Sequence, residues 1–114
     1  MPIFEQGDIA KVPFPNTNSA TPQSGPALVV STGDGNDTLS LLWVVMVTSA
    51  ENRGWPGDVA LAVLSGTGLP APSLVRTAKI ATIEARAAAR LGQVAAGVRA
   101  EVLARVAERI GASV

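Results

Sequence analysis

Leu39-Ser40-Leu41-Leu42-Trp43-Val44-Val45-Met46-Val47-Thr48 is the stretch on which the fold turns. From Leu41 to Val47 every residue is apolar. A strand wetted on one face alternates, so an unbroken apolar run of this length reads as a strand covered on both faces. It falls far short of the ~20 residues that a bilayer-spanning helix needs. Trp43, in the middle of the run, is expected to pack in the core.

Shorter strands are expected on either side. Gly7 to Val12 (GDIAKV) reads as a first strand, ended by Pro13 and Pro15 because proline cannot donate to a sheet ladder. Residues 16–23 (NTNSATPQ) have no apolar period and read as a polar loop longer than most hairpin connections. Such loops on rigid scaffolds often carry function. Pro26 to Ser31 reads as a buried strand, and Gly33-Asp34-Gly35-Asn36-Asp37 as a turn, since Gly and Asn accept positive φ. Downstream, Trp55-Pro56-Gly57 marks a turn and Val59 to Leu64 a strand, before Gly66, Gly68, Pro70 and Pro72 break the chain again. Ser73 to Arg76 and Lys79 to Ile83 read as two separate short strands, Glu84 to Arg90 as one helical turn, and Leu91 to Val94 as a last strand.

From Gly97 the period changes. Val98, Val102, Val106 and Ile110 recur every four residues with Leu103 beside them, the stripe of an amphipathic helix. Glu101 and Arg105 form a favourable i,i+4 pair, and Gly111 suits the helix end. The expected architecture is mainly β (α+β): a small, strongly bent antiparallel barrel with a C-terminal helix, one domain over residues 1–114.

Composition narrows the chemistry. The 114 residues contain no His and no Cys. That excludes disulfides, zinc knuckles, thiol nucleophiles, Ser-His-Asp triads and HExxH metal sites. The nine acidic residues are scattered, without the clustering of a carboxylate metal site. Any chemistry must use Arg, Lys, Ser, Thr, Asp or Glu. The net charge of zero hides an asymmetry: residues 1–57 carry two basic and five acidic side chains, residues 58–114 seven and four. A basic half permits nucleic-acid contact without requiring it. The start of the chain, MPIFEQGD, has neither the basic nor the apolar region of a signal peptide. A cytoplasmic protein with no membrane partner is expected.

The order of motifs is more specific than the fold class. Gly7-Asp8-Ile9, Pro13-Phe14-Pro15, a polar loop, Pro26-Ala27-Leu28-Val29-Val30-Ser31 and Val47-Thr48-Ser49 follow one another as in the MazF/PemK-type toxins of bacterial toxin–antitoxin systems. Pro56-Gly57-Asp58-Val59, Gly68-Leu69-Pro70, Ser73-Leu74-Val75-Arg76, Lys79-Ile80-Ala81-Thr82-Ile83 and Leu91-Gly92 resemble the second half of that family. The resemblance implies an SH3-like barrel of the CcdB/PemK kind with a C-terminal α-helix, working as a homodimer. It implies a metal-independent, cofactor-free endoribonuclease that cleaves single-stranded RNA, neutralised by a cognate antitoxin. The RNA's own 2′-hydroxyl is then the nucleophile, and the protein need only position the phosphate, stabilise its developing charge and assist proton transfer.

Residue by residue, Thr48 matches the family's catalytic threonine, with Ser49 beside it. Gly25 departs from the pattern: the family has an Arg directly before the proline matching Pro26, and that guanidinium is its principal catalytic group. Its loss predicts cleavage slower by about 10²–10³. Gly25 marks an inactivating substitution, a catalytically dead relative, or a site in which another Arg has taken over; it also suits the backbone before Pro26. Arg76 matches a catalytic Arg of the PemK branch, where an Asp stands two residues later; here that position is Ala78. Asn16, Thr17, Asn18 and Ser19, in the loop matching the family's flap, and Arg53 are expected RNA contacts. Trp55 is open to RNA, antitoxin or dimer contact. The competing reading is a non-enzymatic relative, a gyrase poison like the CcdB toxins or an antitoxin-binding module.

Overall fold

The computed structural model describes residues 4–13, 24–31 and 41–111. The strands β1 (Asp8–Pro13), β2 (Ser24–Val29), β3 (Leu41–Ser49), β4 (Val59–Leu61), β5 (Ser73–Glu84) and β6 (Ala89–Gln93) form one antiparallel sheet ordered β4-β5-β3-β2-β1-β6. Helix α1 (Ala96–Ile110) follows, and single 3₁₀ turns stand at Ala50–Asn52 and Ala85–Ala87.

The apolar run lies centrally, as its composition demands. β3 sits between β2 and β5, and its residues Val44 to Val47 are all buried. Alternate residues enter different cores. Val45 and Val47 join Ile9, Leu28, Val75 and Val102 on the helix side. Val44 and Met46 join Ala27, Val29, Val12 and Ile83 on the other. Trp43 corrects the sequence expectation, being 55% exposed. It shares the helix-side face of Val45 and Val47, but α1 packs against β4 and β5 and leaves this end of β3 uncovered.

The sheet curls until its two ends meet. The turn that follows β4 reaches β6, where the Gln93 amide donates to the Gly66 carbonyl at 2.8 Å. A Cβ on Gly92 would strike the Gly66 and Thr67 backbone, so only glycine permits this approach. The seam is braced by Asp8, 1% exposed. Its carboxylate accepts from the Glu5 amide at 2.9 Å and from Gln93 Nε2 at 3.2 Å, and lies 3.4 Å from Arg90 Nη2.

Helix α1 closes the other side. Val102 is fully buried, a contribution of about 1.5–3 kcal/mol, and Val98, Leu103 and Val106 pack around it. The last residue of the stripe is not covered: Ile110 is 62% exposed. Gly111 ends the helix with φ +83°, and Arg105 pairs with Glu101 at 3.4 Å.

β5 is the largest departure from the sequence reading. Ser73–Glu84 is one strand, not two. Its register against β3 jumps, with Met46 opposite Arg76 and Val45 opposite Ile80, so that residues 77–79 bulge out. The buried Thr77 braces the bulge, its Oγ1 donating to the Gly57 carbonyl at 2.8 Å. Gly57 has φ +88°, and a Cβ there would lie 2.7 Å from that oxygen.

Candidate functional site

A row of residues across three strands and the loop before β4 builds the site. The pairing Ala27–Met46, continued two residues, puts Gly25 of β2 across from Thr48 of β3. Met46 faces Arg76 of β5. The pairing Val59–Val75, continued one residue, puts Asp58 beside Arg76 at the sheet's edge. Side chains two apart in a strand share a face, so Gly25, Thr48 and Arg76 line one side of the curled sheet. They border an open groove of about 750 Å³, together with Ser49, Pro72 and Lys79.

Thr48 and Arg76 are linked through one residue, Asn52, in the 3₁₀ turn after β3. Asn52 Nδ2 donates to Thr48 Oγ1 at 3.0 Å, while its backbone carbonyl accepts from Arg76 Nη2 at 2.6 Å. The threonine hydroxyl is thereby fixed as an acceptor from Asn52, and its own proton is left to donate. Ser49 is engaged differently, donating to Glu51 Oε1 at 3.2 Å.

Arg76 is held on several sides. Its Nε and Nη2 donate to Asp58 Oδ1 and Oδ2 at 3.3 and 3.1 Å, a two-pronged ion pair. Both side chains are 11% exposed. The Trp55 ring lies against the guanidinium, its centre 4.4 Å from Cζ, within cation–π range. The Trp55 amide donates to Asp58 Oδ2 at 3.2 Å, so the Trp55–Asp58 turn folds around the carboxylate it presents. Burial pushes the Asp58 carboxyl upward. The Arg76 hydrogen bonds and charge and the Trp55 and Gly54 amides outweigh it, and hold the carboxyl below the usual carboxylate range. The acidic partner that the sequence lacks at Ala78 thus comes through space from Asp58.

The other expected site residues divide. Arg53 is exposed in the loop after Asn52 and does not line the groove. Asn16, Thr17, Asn18 and Ser19 lie outside the described residues. Among the described residues no three acidic side chains gather in a group able to hold a metal ion. Sequence reading missed Asn52 and Asp58. Asp58 stood in plain view just before β4, but its role needs the β4–β5 register, which brings together residues 18 apart.

The sequence model of the PemK-like, MazF-like toxins of type II toxin–antitoxin systems matches residues 5–114. No curated protein matches by sequence search. Among solved structures, a MazE–MazF complex from Deinococcus radiodurans is 26% identical, covers 98% of this chain and 100% of its own, and superposes with a TM-score of 0.78. MazF alone from the same organism is 24% identical over 97% of this chain and 99% of that one, at 0.76. An endoribonuclease in complex with its cognate antitoxin, from a mycobacterial species, is 20% identical over 100% and 99%, at 0.72. The last two carry the fold alone.

Proposed function

This chain belongs to the PemK-like, MazF-like toxins of type II toxin–antitoxin systems, and from that membership we propose that it is an endoribonuclease cutting single-stranded RNA without a metal. In this reading residues 1–114 form one toxin domain. The observation that carries the reading is the single groove shared by Thr48, Arg76 and the position of Gly25.

The substrate's 2′-oxygen attacks the adjacent phosphorus, and the bond to the 5′-oxygen breaks. The products are a 2′,3′-cyclic phosphate and a free 5′-hydroxyl. Water takes the 2′ proton and returns one to the 5′-oxygen. Thr48, held by Asn52, donates its hydroxyl proton to a nonbridging phosphate oxygen. Arg76, whose Nε and Nη2 are held by Asp58 and Asn52, offers its Nη1 as a hydrogen-bond donor to the phosphate at the far side of the groove. Donors fixed before the substrate arrives need no reorganisation when charge develops. Gly25 contributes neither charge nor side-chain donor, so the chain is a slow member of its class. Asn16, Thr17, Asn18, Ser19, Ser49 and Arg53 are proposed RNA contacts. The active unit is a homodimer, silenced by its cognate antitoxin. The D. radiodurans match, a MazE–MazF complex, supports the antitoxin. No helix among the described residues is long and apolar enough to cross a membrane, which accords with work in the cytoplasm.

The test is Gly25→Arg. It should raise metal-free cleavage of single-stranded RNA by about 10²–10³ and produce growth arrest on expression. An arginine variant that is harmless and inert on varied RNA defeats the ribonuclease reading. Gyrase inhibition without RNA cleavage would establish the non-enzymatic alternative instead.

A further inference from the structure

Two cations line the groove, Arg76 and Lys79. In a regular strand, residues three apart point to opposite faces, so both could not serve one groove. The bulge at residues 77–79 changes that. Bulges re-aim a side chain; here the extra residues turn Lys79 onto the face already occupied by Arg76, while Thr77 is buried against the Gly57 loop.

The two cations are not equivalent. Arg76 is spent on Asp58, Asn52 and the Trp55 ring, and its charge is matched by a carboxylate. Lys79 is exposed and forms no ion pair or hydrogen bond with any side chain among the described residues. A phosphate entering the groove therefore meets one cation already paired with a carboxylate and one without such a partner among the described residues. Position 25, across β3 from the bulge, offers glycine.

We infer that Lys79 is a catalytic residue of this chain, binding the nonbridging oxygens of the scissile phosphate in the role that Gly25 leaves open. This rests on the ribonuclease reading. The ammonium stays protonated throughout. It neutralises the extra negative charge as the 2′-oxygen bonds to phosphorus and the 5′-oxygen departs with its electron pair, the protons passing to and from water as before.

The experiment uses the full chain made by cell-free synthesis, with a long mixed-sequence single-stranded RNA in excess chelator. Cyclic-phosphate ends are counted and each variant's thermal melt is recorded. The native chain should cleave measurably, more slowly than Gly25→Arg. Lys79→Ala should lower kcat by about 10² or more with an unchanged melt, and Lys79→Arg should keep most of the activity. In the Gly25→Arg chain, Lys79→Ala should cost less than tenfold, because the new guanidinium covers the same charge. Native-like cleavage by Lys79→Ala overturns the proposal. So does an inert native chain beside an active Gly25→Arg, which leaves the ribonuclease reading standing. If both are inert, that reading falls and Lys79 with it.

Discussion

Among the described residues, two aspartate–arginine pairs stand at opposite edges of one sheet. Asp8 and Arg90 join β1 to β6; Asp58 and Arg76 join the loop before β4 to β5. In the first pair the carboxylate is 1% exposed and the arginine 54%. The acid is the structural element there, satisfied by an amide and a glutamine, and the arginine is a loose outer partner. In the second pair both side chains are 11% exposed and the guanidinium is also gripped by Asn52 and Trp55. There the arginine is the element being held, and it borders the groove. The same two residue types close the fold at one edge and fix a cation at the other; the difference lies in which partner is surrounded.

That contrast breaks most visibly at the arginines. In the Gly25→Arg chain, Arg76→Ala should reduce RNA cleavage by about 10², whereas Arg90→Ala should leave cleavage unchanged. Equal losses from the two would erase the distinction. Within the first pair, stability should depend on the aspartate rather than on the arginine. Asp8→Ala, measured by denaturant unfolding, should cost about 2–3 kcal/mol, since it strips charge-assisted hydrogen bonds from a buried seam. Arg90→Ala should cost less than about 1 kcal/mol, as expected for an exposed ion-pair partner.

The smallest effect concerns acid. Asp58 titrates below its ordinary value of 3.8 in the folded chain. Its stabilising contribution is therefore complete above that pH, and is lost as pH falls through the lower folded value. Asp58→Asn should flatten this part of the stability–pH curve, and an unchanged slope would show that Arg76 does not hold the carboxylate.

Burial patterns are legible in the sequence; contacts across the sheet are not. β3 was legible because burial on both faces leaves an unbroken apolar run. Thr48 stands out by its match to the family's threonine, since the end of an apolar run by itself favours an ordinary strand-end residue. α1 is legible from its four-residue stripe, though the last residue of that stripe, Ile110, stays exposed. β5 was read as two strands because the bulge interrupts its pattern at Thr77 and Ala78. Trp43 was misplaced because composition reports how apolar a strand is, not how far a helix reaches along it. Asp58 and Asn52 were missed because their partners lie across the sheet. Each is an ordinary polar loop residue until the register between β4, β5 and β3 is known.

The seam at Asp8 carries a consequence for how the protein is made. Its hydrogen bond to Gln93 joins residues 85 apart, and β1 takes β6 as a neighbour. On the ribosome, at roughly 5–20 residues per second, β1 waits until β2 to β5 have all emerged before that neighbour follows. Pairings of such long range are also the slow ones to form. The three strands that line the groove, β2, β3 and β5, emerge before both the strand that shuts the sheet and the helix that covers its core. A chain cut after β5 would own every groove residue and lack the closure that holds them in place, so the groove is complete in sequence before it is held in shape.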